Sequence, residues 1–314
     1  MDGYEVLLKV LPLLSAVVLG YILYNRNFLK ETHLEGFKKL VVNVTLPAGL
    51  LIAFASIDFS LRYLLVFASV FTACLMMLFI AKLAAKLFGI KSPYFPYLMT
   101  GFEAGMMGYA LFGGIYGIER LSEFGIIDIG QVLFVFLVTV PMISGMAGER
   151  KGGFFSQSVR SAAKSPVIWS ILIGLSLSIS GIGKFADTLT YSTIRDILDF
   201  ISRPTPVLIG IVIGSGLRFS FAKMKKETLT AIAKVLVSVL FAVVINTLVL
   251  KPLGISVMLK PALFVMFVLP GPFVIPVFMT SAGREDIEFV SNTLSIGTLL
   301  ALAGAIVVSL TVPF

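Results

Sequence analysis

Runs of roughly twenty predominantly apolar residues recur along almost the whole chain with only short polar breaks between them, and one helical crossing of a bilayer needs about that length. Inside hydrocarbon the backbone polar groups of a segment must be satisfied by the protein itself, so each run is expected to be a helix. No stretch of ordinary domain size remains to fold in water. The 314 residues are 58% hydrophobic and 13% charged, with a mean hydropathy of +1.01. The chain therefore reads as an all-α polytopic membrane protein. Its net charge of +8 is first a matter of membrane topology, and no nucleic-acid partner is expected.

Apolar windows and breaker clusters predict ten helices, at roughly 5–25, 35–56, 61–88, 94–117, 126–147, 160–182, 195–217, 228–252, 259–281 and 286–312. An even number puts both termini on one side. With the termini extracytoplasmic, the cytoplasmic connections carry Arg26, Lys30, Lys38, Lys39, Lys82, Lys86, Lys91, Arg150, Lys151, Arg160, Lys164, Arg218, Lys223, Lys225, Lys226 and Arg284. The outer side holds only Lys9, Arg62, Arg120, Lys184, Arg195, Lys251 and Lys260, so the Lys/Arg bias selects this orientation in the cell membrane. The chain opens with Asp2 and Glu5 instead of a basic segment, so the first run is expected to be retained as a helix. Cys74 is the sole cysteine, which excludes an internal disulfide and a thiolate metal site.

The two halves resemble each other. L-P-L-L-S-A-V-V-L-G from Leu11 matches S-P-V-I-W-S-I-L-I-G from Ser165, and T-L-P-A-G-L-L from Thr45 lies beside T-P-V-L-I-G from Thr205. The fourth and ninth runs share a Gly/Pro-rich character. Residues 1–150 and 151–314 are thus expected to be two repeats of five helices each. Five is odd, so the second repeat crosses the membrane inverted, an arrangement common in secondary transporters.

The corresponding fourth and ninth helices are both expected to be broken. L-P-G-P-F-V-I-P-V-F from Leu269 contains Pro270, Pro272 and Pro276, each lacking an amide donor and obstructing the preceding turn. In the fourth, Gly101, Gly105, Gly108, Gly113, Gly114 and Gly117 weaken the helix, although Gly101 and Gly105 also form a packing pattern of small residues. Such breaks survive in lipid only where protein, water or a ligand supplies partners, and paired breaks point to a substrate site. Glu103 lies at mid-depth of the fourth run. A carboxylate there takes up a proton or is met by a cation or by hydrogen-bond donors, and its default reading is functional. Asn43 and Thr45 in the second helix and Thr205 in the seventh, with Gln131 in the fifth and Asn292 in the tenth, are further candidates for substrate contact or for helix-to-helix hydrogen bonds. Asn246 in the eighth is in the same position. Asp128 and Lys234 are expected nearer helix ends, within reach of the interface. His33 is the single histidine and no metalloprotease, P-loop or dinucleotide motif is present, so neither enzyme chemistry nor a cofactor is expected.

V-N-V-T-L-P-A from Val42, G-M-M-G from Gly105, Ser165-Pro166 with Gly174, P-V-L-I-G-I-V-I-G from Pro206, L-P-G-P-F-V-I-P-V-F from Leu269 and G-T-L-L-A-L from Gly297 together resemble the auxin efflux carrier family, in its prokaryotic branch. The resemblance covers nearly the whole chain. It implies a scaffold of helices one, two, six and seven, a mobile transport domain from helices 3–5 and 8–10, crossing broken helices four and nine, and a homodimer. It further implies elevator-type carriage of a small organic anion such as a carboxylate. The family commonly has Asn where Glu103 stands and Pro where Ala110 stands. An ionised Glu103 would repel a carboxylate substrate, so this chain is expected to couple to H+ or Na+ at Glu103. A cation/proton exchanger and a membrane-embedded ligand sensor are the alternatives.

Overall fold

The computed structural model describes residues 3–56, 60–117, 120–146, 166–181, 189–216, 224–279 and 282–312. Arg150, Lys151, Arg160, Lys164, Ser165, Lys184, Arg218 and Lys223 lie outside the described residues. Every regular element among the described residues is helical. Helix α1 runs Gly3–Asn25. Helices α2 (Glu31–Leu40) and α3 (Leu46–Ala55) are joined without interruption through a wide π turn, Val41–Thr45. Then follow α4 (Arg62–Leu87), α5 (Phe95–Leu98) and, after a break, a π turn Ala104–Gly108 leading into α6 (Tyr109–Tyr116). Helix α7 (Leu121–Phe134) continues through the π turn Val135–Thr139 into α8 (Val140–Met146). In the second half come α9 (Pro166–Ile179), α10 (Leu189–Ser202), α11 (Thr205–Gly216), α12 (Lys225–Ile245, extended by the π turn Asn246–Leu250), α13 (Ser256–Val268), α14 (Val274–Phe278) and α15 (Arg284–Thr311).

Five helical stretches among the described residues are long and apolar enough to cross a bilayer: Glu31–Ala55, Arg62–Leu87, Leu121–Ile143, Lys225–Leu250 and Arg284–Thr311. Ser15–Asn25, Ile168–Ile179 and Leu259–Val268 are shorter apolar helices. The second predicted span starts earlier than expected, at Glu31, where the side chain of His33 accepts the Lys30 N–H and helps to cap the helix. The seventh, expected as one span over 195–217, is two helices. Pro204 and Pro206 cannot continue the hydrogen-bond ladder of α10, so the chain turns at Arg203-Pro204 and starts again at Thr205.

Contacts divide the chain into two compact units. The first comprises Met1–Tyr63, Gly105–Gly125 and Ala163–Leu217. Within it α1 lies directly on α11: a Cβ at Gly20 would overlap the Ile211 backbone, and one at Gly214 would overlap that of Val17. Small residues at the contact let the two main chains touch, which is how membrane helices gain attraction when lipid is as apolar as their side chains. Helix α3 packs on α9 where Gly174 faces the fully buried Phe54. Tyr109, Phe112 and Phe124 form an aromatic cluster, with ring centroids 4.8 and 5.3 Å from Phe124.

The second unit comprises Leu64–Ala104, Ile126–Ala162 and Arg218–Phe314. Helix α12 packs against α13 and α15, and α13 forms its centre, with Leu263, Val265, Met266 and Phe267 fully buried. Gly304 of α15 admits Val268. Phe102 and Phe267 pack at a tilt of 42° with ring centroids 4.5 Å apart.

Candidate functional site

Within the second unit two helices stop short and their loose ends meet. Helix α5 ends at Leu98 and helical geometry resumes only at Ala104; α13 ends at Val268 and α14 begins at Val274. Pro270 and Pro272 withhold two amides from the second break, and Gly101 adopts a φ of +67°, in the left-handed region that L side chains resist. The segments interlock through their backbones. The Glu103 N–H donates to the Pro270 carbonyl at 3.0 Å. In return the Phe273 N–H donates to Glu103 Oε2 at 2.5 Å. A Cβ at Gly101 would stand 2.8 Å from Pro272 Cγ, and one at Gly271 would stand 3.0 Å from the Leu98 carbonyl oxygen, so glycine is what permits this approach.

Side chains from neighbouring helices hold other main-chain groups that the first break frees. Gln131 Oε1 accepts the Phe102 N–H at 3.2 Å, and Gln131 Nε2 donates to Asp128 Oδ1 at 2.8 Å. Lys234 Nζ donates to the Gly101 carbonyl at 2.9 Å and to Ser238 Oγ at 3.1 Å, and sits 3.7 Å over the Phe102 ring. The Thr100 hydroxyl donates to the Cys74 carbonyl at 2.9 Å. In a medium without water each of these pairings removes a penalty of several kcal/mol per stranded group (order of magnitude). Glu103, Asp128, Gln131 and Lys234 are 7, 1, 3 and 3% exposed, so two carboxylates and an ammonium share one buried polar region of this unit.

The expectation that Asp128 and Lys234 reach the interface is corrected. Both are buried, because each is recruited by the break: Asp128 fixes Gln131, and Lys234 caps the Gly101 carbonyl. The signal was available in part, since Lys234 stands nine residues into α12, about 13 Å along the helix axis.

The first unit holds a separate cavity of about 540 Å³, walled by Thr45, Gly49, Tyr109, Ala110, Arg195 and Thr205 among others. The hydroxyls of Thr45 and Thr205 are buried and have no hydrogen-bond partner among the described residues. Thr45 closes the π turn before Leu46-Pro47, and Thr205 opens α11 before Pro206, so the Thr-Leu-Pro and Thr-Pro sequences that suggested the repeat each place their threonine on the same cavity. Asp199 and Arg203, also on its wall, pair at 2.8 Å.

The remaining candidates separate. Gly105 and Gly108 lie in the π turn Ala104–Gly108, in the first unit. Asn43 is exposed, spends its amide on the Lys39 carbonyl at 2.7 Å and does not line the cavity of its own unit. Pro276 does not extend the break, because it sits in the first turn of α14, where no intrahelical amide is needed. Asn292 is half-buried on α15 and makes no hydrogen bond with a described residue. Asn246 accepts the Ser256 hydroxyl at 2.6 Å. Among the described residues no group of three or more His, Cys, Asp or Glu is gathered for a metal.

Comparison with known proteins adds the class. Residues 5–158 match the family described as membrane transport protein. An uncharacterized transporter of Methanothermobacter thermautotrophicus is 27% identical over 301 residues, covering 93% of this chain and 94% of that protein. The uncharacterized transporter YfdV of Escherichia coli K12 is 26% identical over 192 residues, covering 55% of this chain and 58% of its own.

Proposed function

We propose, from the match of residues 5–158 to the membrane transport protein family and the likeness to transporters over nearly the whole chain, that this protein is a secondary active carrier of a small organic anion coupled to H+ or Na+ through Glu103. It is a multi-pass membrane protein and a transporter, not an enzyme. The observation that carries the proposal is the interlocked pair of helix breaks with a buried carboxylate at its centre. A glutamate that only closed the break would need an acceptor oxygen and nothing more, which the amide of Asn or Gln also offers. An ionisable group at membrane depth is costly and serves ion or proton movement by default.

The ammonium of Lys234, the carboxylates of Glu103 and Asp128 and the substrate anion form a charge set that changes by one unit when Glu103 takes up a proton or a sodium ion. This supports coupled entry of the anion and the cation, since the cation offsets one of the negative charges that the anion brings to a low-dielectric site. The ten-helix inverted repeat, the termini outside, the homodimer and an elevator-type movement of the helices that carry the crossing belong to the same proposal. Support for them comes from the similar Thr-Leu-Pro and Thr-Pro elements, the Lys/Arg bias and the family resemblance. Thr45 and Thr205 of the first unit, whose buried hydroxyls have no hydrogen-bond partner among the described residues, are proposed separately as polar contacts at that unit's own cavity.

The test is counterflow in liposomes. Vesicles preloaded with an unlabelled dicarboxylate are expected to accumulate the labelled compound transiently, and absence of exchange across a panel of small carboxylates overturns the anion assignment. Sodium-driven proton movement without any carboxylate would favour the cation/proton exchanger, for which the buried acid at the crossing is equally suited.

A further inference from the structure

A second cavity, in the same unit as the crossing but not lined by Gly101, Glu103, Asp128, Gln131 or Lys234, has about 950 Å³ of space and a two-part lining. Its floor is apolar: Met77, Ala81 and Ala84 of α4, Met99 beyond α5, Val237 of α12 and Phe289 of α15. Its lip is charged in both senses, with Lys91 and Lys226 beside Glu227, Glu285 and Asp286. None of these five charges forms an ion pair among the described residues, and the one hydrogen bond they make is that from the Ser92 hydroxyl to Asp286, at 2.6 Å. A volume at the upper end of the range for ligand sites is far more than a small carboxylate fills.

The lip also has a definite level. It lies where α4 ends at Leu87 and where α12 and α15 begin at Lys225 and Arg284, so three of the five membrane-length stretches have an end there. From Leu87 back to Met77 the helix rises about 15 Å, and from Lys226 to Val237 about 16 Å, which is half of a hydrocarbon core about 30 Å thick. The trough is therefore one leaflet deep, with charges at headgroup level and apolar walls below. Ile80, Phe88 and Leu229 on its walls are 43, 78 and 58% exposed, which leaves the trough open to the side.

We propose that this cavity is a binding site for one phospholipid with a primary-ammonium headgroup, of the phosphatidylethanolamine class. An acyl chain lies along the trough, the phosphate is met by Lys91 and Lys226, and the ammonium by Glu227, Glu285 and Asp286. A zwitterion answers a lip carrying both signs, whereas a purely anionic headgroup would face three carboxylates. A quaternary choline has no N–H to donate to them. The site stands independently of the transported substrate and of the membrane orientation.

Native mass spectrometry of the full chain, released from nanodiscs made of equal parts phosphatidylethanolamine, phosphatidylcholine and phosphatidylglycerol, tests it. The expected result is one retained phosphatidylethanolamine, favoured about tenfold over each of the others, as one well-made charge-assisted hydrogen bond implies. Lys91→Glu with Lys226→Glu is expected to abolish the preference. Ala84→Trp, which fills the trough and leaves the lip intact, is expected to lower total retention of all three lipids. Thermal unfolding in detergent identifies which variants are folded. Equal retention of the three lipids, a preference for the choline or glycerol lipid, or a preference unchanged in the folded double variant each overturns the proposal. Loss of carboxylate counterflow with lipid preference intact would sink the transport reading and leave this one standing.

Discussion

Replacing Gly101 by alanine puts two penalties on one atom. The backbone there has φ +67°, and a Cβ in that region costs about 1–2 kcal/mol against glycine. The same Cβ would stand 2.8 Å from Pro272 Cγ and 3.2 Å from Val135 Cγ2, inside van der Waals contact, and overpacking of this kind costs about 1–3 kcal/mol. The Pro272 ring is part of the opposing break and cannot rotate away, so the two penalties add to about 2–5 kcal/mol. Two control glycines separate the contributions. Gly254 has φ +72° with nothing within 4 Å of its Cβ, so Gly254→Ala is expected to carry the conformational penalty alone. Gly36 lies in α2 with an equally open surround, so Gly36→Ala is expected to stabilise by about 1 kcal/mol through helix propensity. Thermal unfolding of the three purified variants in one detergent should rank Gly36→Ala above wild type, then Gly254→Ala, then Gly101→Ala. If Gly101→Ala melts with Gly254→Ala, the first break does not pack against Pro272 and the interlocked crossing is wrong.

Thr45→Val and Thr205→Val remove hydroxyls that have no partner among the described residues, so each should be neutral or stabilising by about 1 kcal/mol in unfolding, while substrate contact predicts a several-fold rise in the carboxylate concentration for half-maximal counterflow. Gln131→Leu strands the buried Phe102 N–H and takes one hydrogen-bond donor from Asp128, and a loss of about 1–3 kcal/mol is expected from the amide left unsatisfied; a midpoint equal to wild type would contradict the network. Glu103→Ala should be less stable than Glu103→Gln, because only the amide keeps an acceptor for the Phe273 N–H; equal midpoints would mean that this hydrogen bond is unimportant.

The breaks were legible because their causes are local. Pro270 and Pro272 remove donors wherever they are put, and a glycine-rich stretch around an acid needs no tertiary context to look unlike a membrane helix. Glu103 could be found by counting residues into its run. What holds the crossing was hidden, since the pairing of Lys234 with Gly101 spans 133 residues of sequence and that of Gln131 with Phe102 spans 29. A lysine in an apolar helix looks the same in sequence whether it reaches water or a stranded carbonyl. The π turns at Val41–Thr45 and Asn246–Leu250 leave no signature either, because one extra residue in a helical turn keeps the composition of the run. Asn43 misled for the opposite reason: its amide is satisfied within its own helix, by Lys39.

In the proposed mechanism Glu103 couples a cation to the anion. This coupling is tested most directly by uptake of a labelled dicarboxylate into liposomes under an imposed proton or sodium gradient, wild type against Glu103→Gln, with counterflow measured in the same vesicles. Wild type is expected to accumulate substrate when the gradient is present, and Glu103→Gln to exchange substrate still in counterflow but to respond no longer to either gradient. Gradient-driven accumulation by Glu103→Gln equal to that of wild type would contradict it.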